Sequence, residues 1–137
     1  MLVADTAPLV ALLDADDRHH RRCLEVVEER GEDIVVPAPV LVELDRWVQK
    51  LLGPDVWLAF AQDVLDGAYR LYQLDEADVA RAAELERRYE DLDLGFVDAA
   101  VVTACERLGE TKVLTLDRRD FSVVRPRHCD ALTLLPE

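Results

Sequence analysis

The chain has 137 residues, half of them hydrophobic and a third charged, which is the balance of one soluble domain with an apolar core rather than of a disordered or disulfide-held chain. Its 16 Lys plus Arg against 29 Asp plus Glu leave a formal net charge of -13, so most of the surface repels a polyanion such as nucleic acid. The longest uncharged stretch, Ile34 to Val42, falls far short of the ~20 apolar residues of a membrane span, and the N-terminus meets an acid at Asp5 with no basic region before it, which excludes a secretory signal.

Three cysteines, Cys23, Cys105 and Cys129, form no C-x-x-C pair and suit the reducing cytoplasm. No repeat, low-complexity tract or linker divides residues 1–137, so a single domain is expected.

In chain order, Leu2 to Ala4 predicts a strand, followed by an apolar helix through Leu13. Asp14 to Asp17 break the pattern, and Arg18 to Arg30 predicts an amphipathic helix stopped by Gly31. Ile34 to Val36 is a β-branched strand ending at Pro37. A helix from about Pro39 to Leu52 then carries Val40, Leu44, Trp47, Val48 and Leu51 at the spacing of a buried stripe, with Gly53 and Pro54 ending it. Val56 to Leu65 predicts another helix, and Tyr69 to Leu74 a strand. Asp75 caps a helix running to about Glu90, with acids near its positive end and Arg87 and Arg88 near its negative end. After a turn at Asp91 to Gly95, Phe96 to Leu108 is helical up to Gly109; Lys112 to Leu116 is a strand, and Val123 to Arg125 and Ala131 to Leu135 are short late ones. Strands alternating with helices imply an α/β fold, a three-layer α/β/α sandwich on a mostly parallel sheet of four to five strands.

Most acids travel in charged company and read as solvated faces or caps. Four do not: Asp5 is the only charge from Met1 to Leu13, Glu43 ends the uncharged run from Ile34, Asp98 is the only charge from Leu94 to Cys105, and Asp117 follows Val-Leu-Thr-Leu. At 100° per residue, Asp98 projects into the apolar sector of its own helix, and Glu43 lies one turn from Val40 and Trp47. All four fall at carboxyl ends of strands or in the first or second turns of helices, the edge where open parallel sheets bind ligands. Two carboxylates ~4 Å apart repel by about 4 kcal/mol at an effective dielectric near 20. Either some hold protons or a cation neutralises them, and all-oxygen ligation selects a hard ion, Mg²⁺ or Mn²⁺. Asp93 is a fifth acid of the set or a cap for the helix after it. Thr6 and Thr115, beside Asp5 and Asp117, hold a water or phosphate or merely close turns.

Four blocks in order, Val3-Ala4-Asp5-Thr6, Val36 through Leu44 with Glu43, Asp93-Leu94-Gly95-Phe96-Val97-Asp98-Ala99-Ala100, and Thr115-Leu116-Asp117-Arg118-Arg119-Asp120-Phe121, make the chain resemble a PIN-domain ribonuclease of the VapC type, the toxin of a toxin-antitoxin pair. The resemblance implies a PIN-like α/β/α fold and Mg²⁺- or Mn²⁺-dependent hydrolysis of RNA phosphodiesters to 5′-phosphate and 3′-hydroxyl ends. It implies metal ligation by Asp5, Glu43, Asp98 and Asp117 with Asp93 auxiliary, a homodimer, and silencing by a VapB-type antitoxin through which alone it meets DNA. Ala7 departs from the pattern, where the family often has Ser.

A receiver-type phosphoacceptor domain would need paired acids after the first strand and a Lys ending a late one, but Asp5 stands alone and Lys112 stands at the start of its strand rather than the end. A binding-only PIN domain would have lost acids that are present here. His20, Cys23, His128 and Cys129 lack the close ligand pairing of structural zinc. Charge is also uneven: residues 1–106 carry 10 basic and 24 acidic side chains, residues 107–137 carry 6 and 5. Arg118, Arg119, Arg125 and Arg127, with Arg18, Arg21 and Arg22, are the expected phosphate-facing clusters, and the acidic body suits a basic antitoxin segment.

Overall fold

A computed structural model describes residues 1–137. Five parallel strands in the order β3-β2-β1-β4-β5 form one sheet, where β1 is Leu2–Ala4, β2 Ile34–Pro37, β3 Tyr69–Tyr72, β4 Lys112–Leu114 and β5 Thr133–Leu135. Seven helices flank it: α1 Thr6–Leu13, α2 His20–Arg30, α3 Ala38–Leu52, α4 Pro54–Leu65, α5 Glu76–Arg88, α6 Phe96–Leu108 and α7 Arg118–Val123. β1 and β2 are buried along their whole length, as strands covered on both faces must be, and only β3 at the edge is largely open. None of these helices is long and apolar enough to cross a membrane.

Local chemistry sets the boundaries. Gly31 and Gly109 take left-handed conformations at the ends of α2 and α6, where a side chain would be strained. Asp75 and Asp78 form a reciprocal capping box at the start of α5. The chain leaves β1 toward β2 and β3 on one side, then returns to place β4 and β5 on the other. The order therefore reverses between β1 and β4, which pair through Val3 with Val113 and Ala4 with Leu114. A crevice outside the carboxyl ends of those two strands is where such sheets seat ligands.

The late expectations need correction. Val123 to Arg125 is not a strand: Asp117 accepts a hydrogen bond from the Asp120 amide, which nucleates α7 as far as Val123, and Val124 tucks into the core just beyond it without pairing to the sheet. The strands expected over Tyr69–Leu74, Lys112–Leu116 and Ala131–Leu135 are shorter at their ends, and the helix from Asp75 stops at Arg88 before a separate 3₁₀ turn at Glu90–Leu92. On α3, Val40, Leu44 and Val48 are fully buried, but Trp47 and Leu51 are 44% and 54% exposed. The core needs only the i, i+4, i+8 row, and the flank that these two share with Glu43 is only partly covered, opening onto a cleft beside α1.

Candidate active site

Asp5 follows β1 directly and caps α1, and its backbone N–H donates to the Leu114 carbonyl, so the strand pairing carries on into the site. The side chain is buried and accepts a hydrogen bond from the Thr115 hydroxyl at 3.1 Å. That same hydroxyl accepts from the Asp117 backbone N–H at 3.0 Å. Thr115, itself 1% exposed, therefore ties the acid after β1 to the acid after β4. The Thr6 hydroxyl next to Asp5 is buried and has no partner.

Asp98 enters from the first turn of α6 and Glu43 from the second turn of α3, both half-buried. Carboxylate oxygens of Asp98, Asp117 and Asp120 lie within 4.8 Å of one another. At that separation each pair repels by about 3–4 kcal/mol at an effective dielectric near 20. Burial, with the charges of Asp5, Asp117, Asp120 and Glu43, pushes the Asp98 carboxyl up to about 7. Burial also raises Asp5 above the usual carboxylate range, aided by Glu43 and Asp117 and opposed by hydrogen bonds from the Thr6 backbone and the Thr115 hydroxyl. Burial and Asp117 raise Asp120.

The four acids singled out in the sequence thus act on one another. Asp93 is exposed, holds a left-handed conformation (φ 52°) at the end of the 3₁₀ turn, and is felt electrostatically by Asp120. Asp120 is the residue that sequence reasoning missed. It stands in a charged run, Asp-Arg-Arg-Asp, and lacks the isolation within apolar sequence that marks the other four. The available signal was its spacing: three residues after an N-capping Asp117, it shares the first turn of the same helix.

The expected arginine clusters are mostly committed elsewhere. Arg118 donates to the Pro136 carbonyl at 3.0 Å, and Arg125 to the Ser122 carbonyl at 2.7 Å. Arg127 pairs with Glu84, Arg21 with Glu25, and Arg22 reaches a Glu137 oxygen. Arg119 is exposed and free, close enough to Asp120 to oppose its upward shift. Of the residues weighed as zinc ligands, His20 bonds the Ala11 carbonyl and His128 the Glu110 carbonyl.

The donor set is all oxygen, concentrated, and repulsive unless protonated or neutralised. With a buried unpartnered hydroxyl beside it, it fits a hard divalent cation. A cleft of about 440 Å³ opens between α1 and α3 beside the acids, with Thr6, Glu43 and Trp47 in its lining.

Residues 2–125 match the sequence profile of the PIN domain. The chain is 33% identical over 135 residues to Ribonuclease VapC26 of Mycobacterium tuberculosis, spanning 98% of this chain and 100% of that one. Its fold is similar to that of Mycobacterium tuberculosis VapC20, described as a sarcin-ricin loop cleaving toxin, with a TM-score of 0.80 at 19% identity over 87% of this chain and 92% of that one. It is also similar to VapBC from Salmonella typhimurium bound to DNA, with a TM-score of 0.69 at 17% identity over 98% and 97% of the two chains.

Proposed function

The chain belongs to the PIN domain family, and from that premise we propose that residues 1–137 form one nuclease domain, an endoribonuclease toxin held in check by a VapB-type antitoxin. The observation that carries the activity is the convergence of Asp5, Glu43, Asp98 and Asp117, joined by Asp120, at the point where the strand order reverses. Asp5, Glu43, Asp98 and Asp117 would hold Mg²⁺, or Mn²⁺ in its place, with Asp93 auxiliary and Asp120 able to contribute. When bound, such an ion supplies Lewis-acid stabilisation of charge on the phosphodiester oxygens and lowers the pKa of the attacking water.

The chain's own contribution is preorganisation. Thr115 fixes Asp5 and the Asp117 backbone through one hydroxyl, and the core behind β1 and β4 holds both strand ends in place. Arg119 remains free to meet a substrate phosphate, whereas Arg118 acts as a brace for the C-terminal segment. The substrate is RNA, and DNA is reached only through the antitoxin. Self-association as a homodimer is supported by the apolar surface of Val42, which is 75% exposed, with Val79 and Phe96 around one shallow cleft. The three free cysteines support a cytoplasmic location.

Purified antitoxin-free protein should cleave RNA in Mg²⁺ or Mn²⁺, and Asp5→Asn or Asp98→Asn should lower the rate at least about a hundredfold, the loss of several kcal/mol of charge stabilisation. Equal rates in native and substituted proteins would sink the site assignment.

A further inference from the structure

Ten of the 16 cations of this acidic chain are ion-paired or hydrogen-bonded within the fold. Arg30 and Lys112 meet Glu32, Arg70 meets Asp33, Arg81 meets Glu106, and Arg107 meets Asp75 and Asp78. Of the six that are not, Arg18, Arg87, Arg88 and Arg119 lie elsewhere in the fold, and two stand together on one helix beside Glu43. Arg46 and Lys50 on α3 lie about one and two helical turns beyond Glu43, are exposed, and have no acid within ion-pairing distance. Asp45, the nearest acid in sequence to Arg46, accepts instead from Gln49.

Trp47 lies between them. The Lys50 ammonium sits 5.4 Å from its ring centroid, and a shallow depression is lined by Glu43, Arg46, Trp47 and Lys50. The 440 Å³ cleft, which also contains Glu43 and Trp47, has apolar walls from Ala7, Val10, Leu51 and Leu116. Trp47 is thus a ring shared by two depressions that both end at an acid of the cluster.

We infer that Arg46, Trp47 and Lys50 form a binding track for single-stranded RNA leading into the acid cluster, with a base flanking the scissile bond stacked on Trp47 and adjacent phosphates on Arg46 and Lys50. The inference rests on the ribonuclease reading and adds where the substrate lies. Charge complementarity carries it: in a chain of net charge -13, unpaired cations beside the acids attract a polyanion where the rest of the surface repels it. An aromatic face between two phosphate-binding cations is the recurring arrangement for sequence-tolerant binding of single strands. The partly open flank of α3 is the flank that the track uses.

Binding is measured with a labelled single-stranded RNA of roughly a dozen nucleotides in an Asp98→Asn background, and KM and kcat are measured in the otherwise native protein. Trp47→Ala is expected to weaken binding and raise KM about tenfold with kcat within about threefold, and Trp47→Phe to recover most of the loss. Arg46→Gln with Lys50→Gln should flatten the slope of log affinity against log salt by about 1.4, the share of two phosphates on a single strand. Unchanged binding, KM and salt slope overturn the track while cleavage by the native protein upholds the ribonuclease reading. Trp47-dependent binding without cleavage by the native protein does the reverse. Variants that bind and cleave RNA normally but escape inhibition by the co-expressed antitoxin give the strip to the antitoxin and overturn the RNA track.

Discussion

Two regions of the molecule bury acids, and they do so in opposite ways. On the flank formed by α5 and α6, Glu106 is 9% exposed at its side chain and receives two bonds from the Arg81 guanidinium, at 2.8 and 2.9 Å. Burial pushes its carboxyl up, but Arg81 and the Arg127 backbone N–H outweigh that and hold it below the ordinary value. At the carboxyl edge of the sheet, Asp98 meets burial and other acids, with no cation among its main influences, and moves to about 7. Burial alone therefore does not mark a reactive acid. The partner decides, and an acid whose neighbours are acids awaits something from outside the fold.

The sharpest way to separate the regions is to neutralise one acid in each. Asp98→Asn should abolish cleavage while leaving the fold intact; Glu106→Gln should keep cleavage within about threefold yet cost about 1–2 kcal/mol in urea unfolding, because Arg81 loses its buried charge partner and keeps only the exposed Glu84. A loss of activity in both, or of stability in both, breaks the distinction.

The second consequence concerns pH in the absence of divalent ions. The folded Asp98 carboxyl keeps its proton up to about 7, whereas the unfolded one releases it near 3.8. Between those values the folded state binds more protons, so stability falls as pH rises through the window. In EDTA, Asp98→Asn should melt above the native protein at pH 8 and lose that advantage at pH 4, and adding Mg²⁺ should stabilise only the native protein. A melting temperature that climbs with pH from 4 to 7, with Asp98→Asn showing the same climb, contradicts the assignment of strain to this carboxyl.

Smaller effects follow from the supporting groups. Thr115→Val should slow cleavage roughly tenfold and cost about 1 kcal/mol, since it removes one donor and one acceptor at once. Asp75→Ala, at the capping box of α5 and far from the acids in sequence, should cost about 1 kcal/mol of stability with no change in cleavage.

Much of this arrangement was legible in the sequence because isolation within apolar sequence is itself a signal. Asp5, Glu43, Asp98 and Asp117 interrupt core-forming runs, and core-forming runs become strand ends and helix faces that the sheet topology gathers together. Asp120 was hidden for the opposite reason: surrounded by charge, it has no contrast, and only the capping geometry of α7 turns it inward toward Asp117 and Asp98. Val123 to Arg125 read as a strand because β-branched residues favour one, yet the cap six residues earlier carries helix α7 as far as Val123, and Val124 turns into the core without joining the sheet. Trp47 and Leu51 satisfied a helical stripe that the core does not need in full. Periodicity says which residues share a face, and only the packed neighbours say how much of that face is covered.

The Thr115 hydroxyl makes the sheet a ruler for the chemistry. It joins Asp5 to the chain of Asp117, while the Asp5 amide is bonded to Leu114 and the Thr115 amide to Leu135, so three adjacent strands share one alignment at their tips. A slip of a single residue between β1 and β4 would turn Asp5 to the opposite face of the sheet and break all of these links together. Assembly of the acids is thus an all-or-none outcome of strand pairing: a chain whose sheet is incomplete carries no half-formed centre.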